Sequence, residues 1–216
     1  FVSNRSGSYD IWEIGIDGGG LKQLTEGWNT FMPPIKRPGT GDYLIGHAAR
    51  EQWYILPSDA ERTNLEAMNP MPKVHEENQN WMSPERCTSD GSHLIGTVFR
   101  SRKSPTDPST PIGVGIYDFV TKTYKVLFTS SIQIGFTDSL NLTPDESHVL
   151  ISSRSDIRIM NLETGDLISI LKIQKSSGAQ SASITTDGYL YYCTTRNERN
   201  IWLSEIDDVP MQPTDN

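Results

Sequence analysis

"TSDGSHLIGTVFRSR" (Thr88 to Arg102) and "TPDESHVLISSRSDI" (Thr143 to Ile157) share one pattern: Thr-x-Asp-x-Ser-His, then a run of mostly apolar residues. The polar side chains bond nearby main-chain groups and favour a tight turn, whereas the apolar run suits a strand. One such turn says little; recurrence at a near-fixed period marks a repeat architecture. "TTDGYLYYCTTR" (Thr185 to Arg196) is a third copy, and "RPGTGDYLIGHAAR" (Arg37 to Arg50) a degenerate fourth. The opening "FVSNR" matches the strand after the turn, as in "VLISSR" ending at Arg154 and "YCTTR" ending at Arg196. The sequence therefore begins inside a repeat, at the second strand of its first copy.

The first residue of that strand is Phe1, Tyr43, His93, His148 and Tyr189, giving spacings of 42, 50, 55 and 41 residues. Units of about 40–45 residues holding four strands are propeller blades. A third apolar run follows in each copy: "DIWEIGI", "QWYILP", "VGIYDF", "DIRIMNL" and "NIWLSEI". Turns such as "DGGG", "VTKT" and "ETGD" lead to fourth strands "LKQLT", "YKVLF" and "LISIL". Innermost strands are expected at "FMPPIKR", "MSPERCTS", "SLNLTP" and "SASITT". The fold class is thus all-β: a β-propeller of four-stranded antiparallel blades, about five present, as part of a larger ring. It is expected as a single domain over 1–216, with blade markers near 1, 43, 93, 148 and 189. Either blades are missing or the tail "PMQPTDN" closes on "FVSNR", because a ring must hide its end strands. Asp59 to Pro70 is expected as a long turn feeding a fourth strand. Ser101 to Pro111, with three prolines, is expected as a surface insertion outside the sheet.

Net charge is −8, which repels phosphate backbones and argues against nucleic acid as a partner. "FRSRK" (Phe99 to Lys103) is the only dense basic stretch and reads as a solvated loop. No apolar run reaches the ~18 residues of a membrane span. Cys87 and Cys193 lie far apart in strand-like settings and are expected as buried free thiols. No Gly-x-Ser-x-Gly elbow and no phosphate-cradling loop occurs, and no catalytic set assembles.

The turn, the apolar strand ending in Ser-x-Arg, and the following Asp-Ile-Trp resemble the TolB-like family of WD-repeat-related propellers. "SNRSGSYDIWEIGIDGGGLKQLT" (Ser3 to Thr25), "TPDESHVLISSRSDIRIMNLETGD" (Thr143 to Asp166) and "TTDGYLYYCTTRNERNIWLSEID" (Thr185 to Asp207) carry the likeness. It implies a binding scaffold in a periplasmic or extracellular setting, with a protein or an oligosaccharide as partner. "PPIKRPGTGDYLIGH" followed by "QWYIL" is similar, more weakly, to the oligogalacturonate lyase propellers. That subgroup's metal set of histidines and a glutamine would fall here on His47, His75 and Gln79, with Glu76 nearby. A divalent metal such as Mn or Ca is then implied, but "SPERCTSDG" lacks the expected histidine. Under the first reading there is no cofactor.

Propeller ligands gather where one blade's outer strand leads to the next blade's inner strand. These segments are "TEGWNTF", "NPMPKVHEENQNW", "TSSIQIGFTDS" and "QKSSGAQSA". The candidate ligand-binding residues on them are Trp28, Asn29, His75, Glu76, Asn80, Trp81, Asp138 and Gln180, with Glu77 and Gln133 beside them. They mix stacking rings with hydrogen-bonding groups. Trp28 and Trp81 either line the channel mouth or pack in the core. Trp12, Trp53 and Trp202 fall in third strands, where packing between blades is expected. His93 and His148 occupy one repeat position at a turn and are expected as structural.

Overall fold

The computed structural model describes residues 1–29, 33–47, 51–59, 63–64, 69–75, 77, 80–101, 110–128, 139–153, 156–173, 178–195 and 199–205. Among them the structure is β throughout, with no helix. The chain divides into two compact units, Phe1–Val126 and Leu127–Asn216.

The first unit opens with β1 (Val2–Ser3), β2 (Asp10–Glu13) and β3 (Lys22–Gln23), a three-stranded antiparallel sheet. A short β4 (Thr25–Glu26) follows. The second sheet holds β5 (Ile35–Lys36), β6 (Tyr43–His47), β7 (Gln52–Leu56) and, past β8 (Thr63–Asn64), β9 (Asn69–Pro70), in the order β5-β6-β7-β9. The third holds β10 (Trp81–Cys87), β11 (His93–Arg100), β12 (Thr110–Asp118) and β13 (Thr123–Phe128), and the unit boundary falls within β13. In the second unit, β14 (Ser139–Leu142), β15 (His148–Ser152), β16 (Asp156–Asn161) and β17 (Leu167–Lys172) form a four-stranded meander. β18 (Gly178–Ile184), β19 (Tyr189–Thr195) and β20 (Arg199–Glu205) form a three-stranded one. Five sheets thus match the five markers, and four of the markers are the first residues of β6, β11, β15 and β19.

The shared turn explains why the repeat was visible. In the third sheet the Thr88 hydroxyl donates to Asp90 Oδ1 (2.7 Å), and the His93 amide donates back to Thr88 Oγ1 (2.9 Å). Ser92 adds its amide and hydroxyl to the same carboxylate oxygen (2.9 and 2.8 Å), then meets His93 Nδ1 at 2.6 Å. Thr143, Asp145, Ser147 and His148 repeat the arrangement, and Thr185 donates to Asp187 in the third copy. The Ser92 amide, then the Thr88 and Ser92 hydroxyls, hold the exposed Asp90 carboxyl down to about 2. His93 and His148 therefore cap turns, as expected of structural residues.

The cores lie between successive sheets. Ile11, Leu24 and Trp28 meet Ile45, Tyr54 and Leu56 of the second sheet. Leu44 and Trp53 meet Met82, Leu94, Val98 and Tyr117 of the third. In the second unit Leu150, Ile157 and Ile159 meet Ala182, Ile184 and Leu190. Each such side chain, buried, contributes about 1.5–3 kcal/mol. Trp53 thus packs between sheets, as its third-strand position suggested, and Trp12 is half-buried.

Four expectations are corrected. The sheets are antiparallel, but β4 and β8 pair in parallel, Thr25 opposite Thr63 and Glu26 opposite Asn64, so a segment of the second repeat adds to the end of the first. Pro111 is not outside the sheet: β12 begins at Thr110, and Pro111 faces Phe99 where the register shifts, a place that tolerates a residue without an N–H. β18 starts at Gly178, so Gln180 belongs to a strand rather than to a connecting loop. Cys87 and Cys193 are free but half-buried; burial pushes the Cys87 thiol up to about 11, which makes it unreactive. The tail "PMQPTDN" lies outside the described residues.

Candidate functional site

β6 and β7 are joined at the end of the sheet where His47 pairs with Gln52, and β9 runs toward that same end, with Pro70 opposite Tyr54. Residues 71–80 continue from there to the start of β10. The Met71 amide donates to Trp53 O (2.8 Å) and the Val74 amide to Asn80 O (3.1 Å), and His75 forms an isolated antiparallel bridge with Asn80. This local hairpin brings His75, Asn80 and Trp81 together, three of the residues expected to bind ligand. Asn80 and Trp81 are buried. Trp81 stacks on Phe99 at 4.8 Å between ring centroids. Among the described residues neither the Trp81 indole N–H nor Asn80 Oδ1 has a hydrogen-bond partner, although both are shielded from solvent. Native structures leave few such atoms unpaired, and each one asks for an explanation.

Beside this hairpin lies a small cleft with room for about one water molecule, walled by Trp53, Met71, Trp81 and Met82, with Glu51, Gln52 and Lys73 supplying polar groups. The Gln52 amide is spent on Met71 O (2.6 Å) and Trp53 O (3.1 Å), and the Tyr124 hydroxyl on Pro72 O (2.9 Å). Lys73 donates once, to Glu51 O at 2.7 Å. Burial lowers its pKa, against a smaller opposing effect of the Glu51 charge. Lys73 and Gln52 were not singled out in the sequence; "KVHEENQNW" begins at Lys73, but no local pattern marks that lysine as half-buried.

The other expected residues are placed differently. Trp28 is corrected from a surface position to the core: it is 0% exposed, because its ring packs edge-on against Tyr54 (5.3 Å) and His47 (5.5 Å) while Nε1–H donates to Gly46 O (2.9 Å). Asn29 is exposed in the left-handed region at φ 53°, which asparagine tolerates, and its amide donates to Gly27 O at 3.4 Å. Gln180 sits where β18 shifts register against β19, between Ala179 and Ser181. Glu77 is exposed in a turn. Glu76, Gln79, Gln133 and Asp138 lie outside the described residues.

The residue that positions Trp28 is Asp10, which is itself 0% exposed. Its Oδ1 accepts from the Trp28 amide (3.0 Å) and the Thr25 hydroxyl (3.2 Å). Its Oδ2 accepts from Ser8 (2.5 Å), Ser6 (2.7 Å) and Gln23 Nε2 (3.2 Å). Burial alone would raise this carboxyl, but the bonds from Ser8, the Trp28 amide, Ser6 and Thr25 outweigh it and hold the pKa below the ordinary value. Asp156, at the same repeat position, accepts from Ser153 and from Arg158 Nε, both at 2.6 Å. The Asp of Asp-Ile-Trp thus works as an architectural anchor.

For a metal, His47 is half-buried at the end of β6 and His75 half-buried in the hairpin. Among the described residues no three His, Cys, Asp or Glu side chains converge to hold an ion. They do not supply the three or four ligands that a transition metal takes. No helix of the described residues is long and apolar enough to cross a membrane.

No family model and no curated protein sequence matches the chain. Solved structures do. Oligogalacturonate lyase in complex with manganese is similar over 95% of this chain and 58% of its own, at 15% identity and a TM-score of 0.69. Oligogalacturonate lyase from Vibrio parahaemolyticus gives 95%, 58%, 15% and 0.68 for the same measures. TolB from Acinetobacter baumannii is similar over 92% of this chain and 46% of its own, at 15% identity and 0.56. The chain therefore spans 46–58% of the length of these neighbours. At such identity the likeness shows the fold alone: the chain is an all-β protein of the β-propeller class.

Proposed function

We propose that the chain is a non-catalytic binding or scaffolding propeller that recognises a polar ligand or protein partner through the 71–81 segment and the loop ends beside it. One observation carries this reading: Trp81 Nε1–H and Asn80 Oδ1, a donor and an acceptor on adjacent residues, are left unsatisfied at the start of an inner strand. A polar ligand that reached them would recover the free energy their burial costs, about 1–3 kcal/mol each. The best-engaged carboxylates, Asp10, Asp90, Asp145 and Asp156, already serve turns and loops, which leaves them unsuited to proton transfer. A periplasmic or extracellular setting is proposed with it, on the family resemblance.

A second reading, a metal-dependent lyase acting on acidic oligosaccharides, is favoured by the higher TM-score with the manganese-bound lyase, 0.69 against 0.56 for TolB. The two part on one experiment. Protein purified without a histidine tag is assayed for metal content and for the ultraviolet chromophore that elimination creates in an oligogalacturonate. Stoichiometric manganese or calcium with chromophore growth overturns the binding reading. The complementary test uses Trp81→Phe, which removes the indole N–H and keeps a ring on Phe99. It should weaken capture of whichever oligosaccharide or peptide the wild type selects from an array, without changing the unfolding midpoint. Unchanged capture overturns the role given to Trp81.

A further inference from the structure

We propose that the outer edge of β17 pairs with the same edge of a second copy of this chain, antiparallel and in one register. The proposal goes beyond the binding reading above and uses none of its groups. β17 ends the fourth sheet, and among the described residues no strand pairs with its outer side. Such an edge offers unspent main-chain N–H and C=O groups to another chain, and proteins blunt it with short strands, proline or lysine. The first three sheets do so. β3 is two residues long and includes Lys22, β9 is two residues long and ends in Pro70, and β13 carries Lys125 inside it. β17 runs six residues, and Leu167 to Leu171 hold neither a charge nor a proline. Ile168 is 61% exposed, and Ser169 is exposed beside it.

The sequence of this edge matches itself. "LISIL" (Leu167 to Leu171) reads alike in both directions, with Asp166 before it and Lys172 after it. A twofold axis through Ser169 sets Ser169 against its counterpart, Ile168 against Ile170 and Leu167 against Leu171 of the second copy. The same axis sets Asp166 against Lys172 at both ends, so the outermost pairs are oppositely charged. Opposite charges facing across antiparallel strands are favourable and like charges unfavourable. Parallel, in-register pairing would face Asp166 with Asp166 and Lys172 with Lys172, so the charges select the antiparallel arrangement. That contact is isologous, as a closed dimer requires. Within the chain Lys172 stands opposite Asp156, whose oxygens already accept from Ser153 and Arg158. Among the described residues Lys172 forms no ion pair. Ile170 is an extra residue where β17 shifts register against β16. That bulge bends the strand and interrupts the ladder once on each copy, so the dimer is of the weak, small-area class.

The test follows the whole chain by sedimentation equilibrium over a range of about 10 µM to 1 mM, suited to a weak contact. Wild type should pass from monomer toward dimer across that range. Lys172→Glu faces Asp166 with a like charge twice per dimer and should weaken association roughly fivefold or more. Asp166→Lys combined with Lys172→Glu exchanges the two signs and should restore it. Both positions are exposed, so the circular dichroism spectrum should not change. Register is read by Ser169→Cys, because the twofold brings the two new thiols together. Mild oxidation should then yield a covalent dimer that the parent chain, with only Cys87 and Cys193, does not form. A chain that stays monomeric throughout overturns the proposal. So does a dimer that Lys172→Glu leaves undisturbed, a double exchange that fails to restore association, or a Ser169→Cys chain that cross-links no faster than its parent. If Lys172→Glu does not fold, the Ser169→Cys comparison decides alone. Metal with elimination activity would sink the non-catalytic reading and leave these outcomes intact.

Discussion

Asp10→Ala should be among the most damaging single changes in the first unit, and its cost follows from the bonds it breaks. Five donors converge on the carboxylate: the hydroxyls of Ser6, Ser8 and Thr25, the Gln23 amide group and the Trp28 main-chain amide. Ser6 is exposed and Ser8 and Gln23 half-buried, so water can replace the carboxylate for those three. Thr25 and Trp28 are 0% exposed, and their two donors are stranded. At about 1–3 kcal/mol for each unsatisfied buried donor, the loss is about 2–6 kcal/mol. Urea unfolding followed by tryptophan fluorescence reads it well, since Trp12, Trp28, Trp53 and Trp81 all lie in Phe1–Val126. The folded-state pKa of Asp10 lies below its ordinary 3.8, so its contribution is complete above about pH 5 and fades as the pH falls through the lowered value. Asp10→Asn should accordingly be destabilised near neutrality, with the gap to wild type narrowing on acidification. A loss under about 0.5 kcal/mol, the scatter of an ordinary surface change, or a gap independent of pH, would refute the assignment of Asp10 as the anchor.

Trp28→Ala should cost about 3–5 kcal/mol as a core truncation, whereas Trp28→Phe should cost about 1 kcal/mol for the lost bond to Gly46 O; equal costs in chemical unfolding would contradict the buried placement. Gly91→Ala should lose about 1–3 kcal/mol or more, because φ is +69° and a Cβ there would stand 2.1 Å from Pro38 O. Gly18→Ala, with φ +82° and nothing within 4 Å, carries the backbone strain without the collision and should lose less. Matching losses for the two glycines would show that the Pro38 contact yields.

What the sequence revealed and what it hid divide by the range of the interactions. The Thr-x-Asp-x-Ser-His turns were legible because Thr88, Asp90 and Ser92 bond to one another within five residues, so the motif is the structure. The hairpin of His75, Asn80 and Trp81 was legible in part, as a polar segment ahead of an inner strand. Trp28 was not: its burial depends on Asp10, on Tyr54 and on Gly46, each 18 or more residues away. The β4–β8 pair was hidden for a similar reason, since two residues on each side leave no periodicity to find. Lys73 looked like any surface lysine until Trp81 and Met82 were placed beside it.

The anchor at Asp10 also orders events in time. Its bonds to Ser6 and Ser8 close over two to four residues and are available almost as soon as that stretch leaves the ribosome. Those to Thr25 and Trp28 wait for 15 and 18 more, and the Trp28 indole then waits a further 18 for Gly46. Every step bridges fewer than twenty residues, so each loop closes at low entropic cost, growing only as the logarithm of its length. The sheet of β1–β3 can therefore be fastened to the sheet of β5, β6, β7 and β9 in the order in which the chain emerges, by links that are each short in sequence.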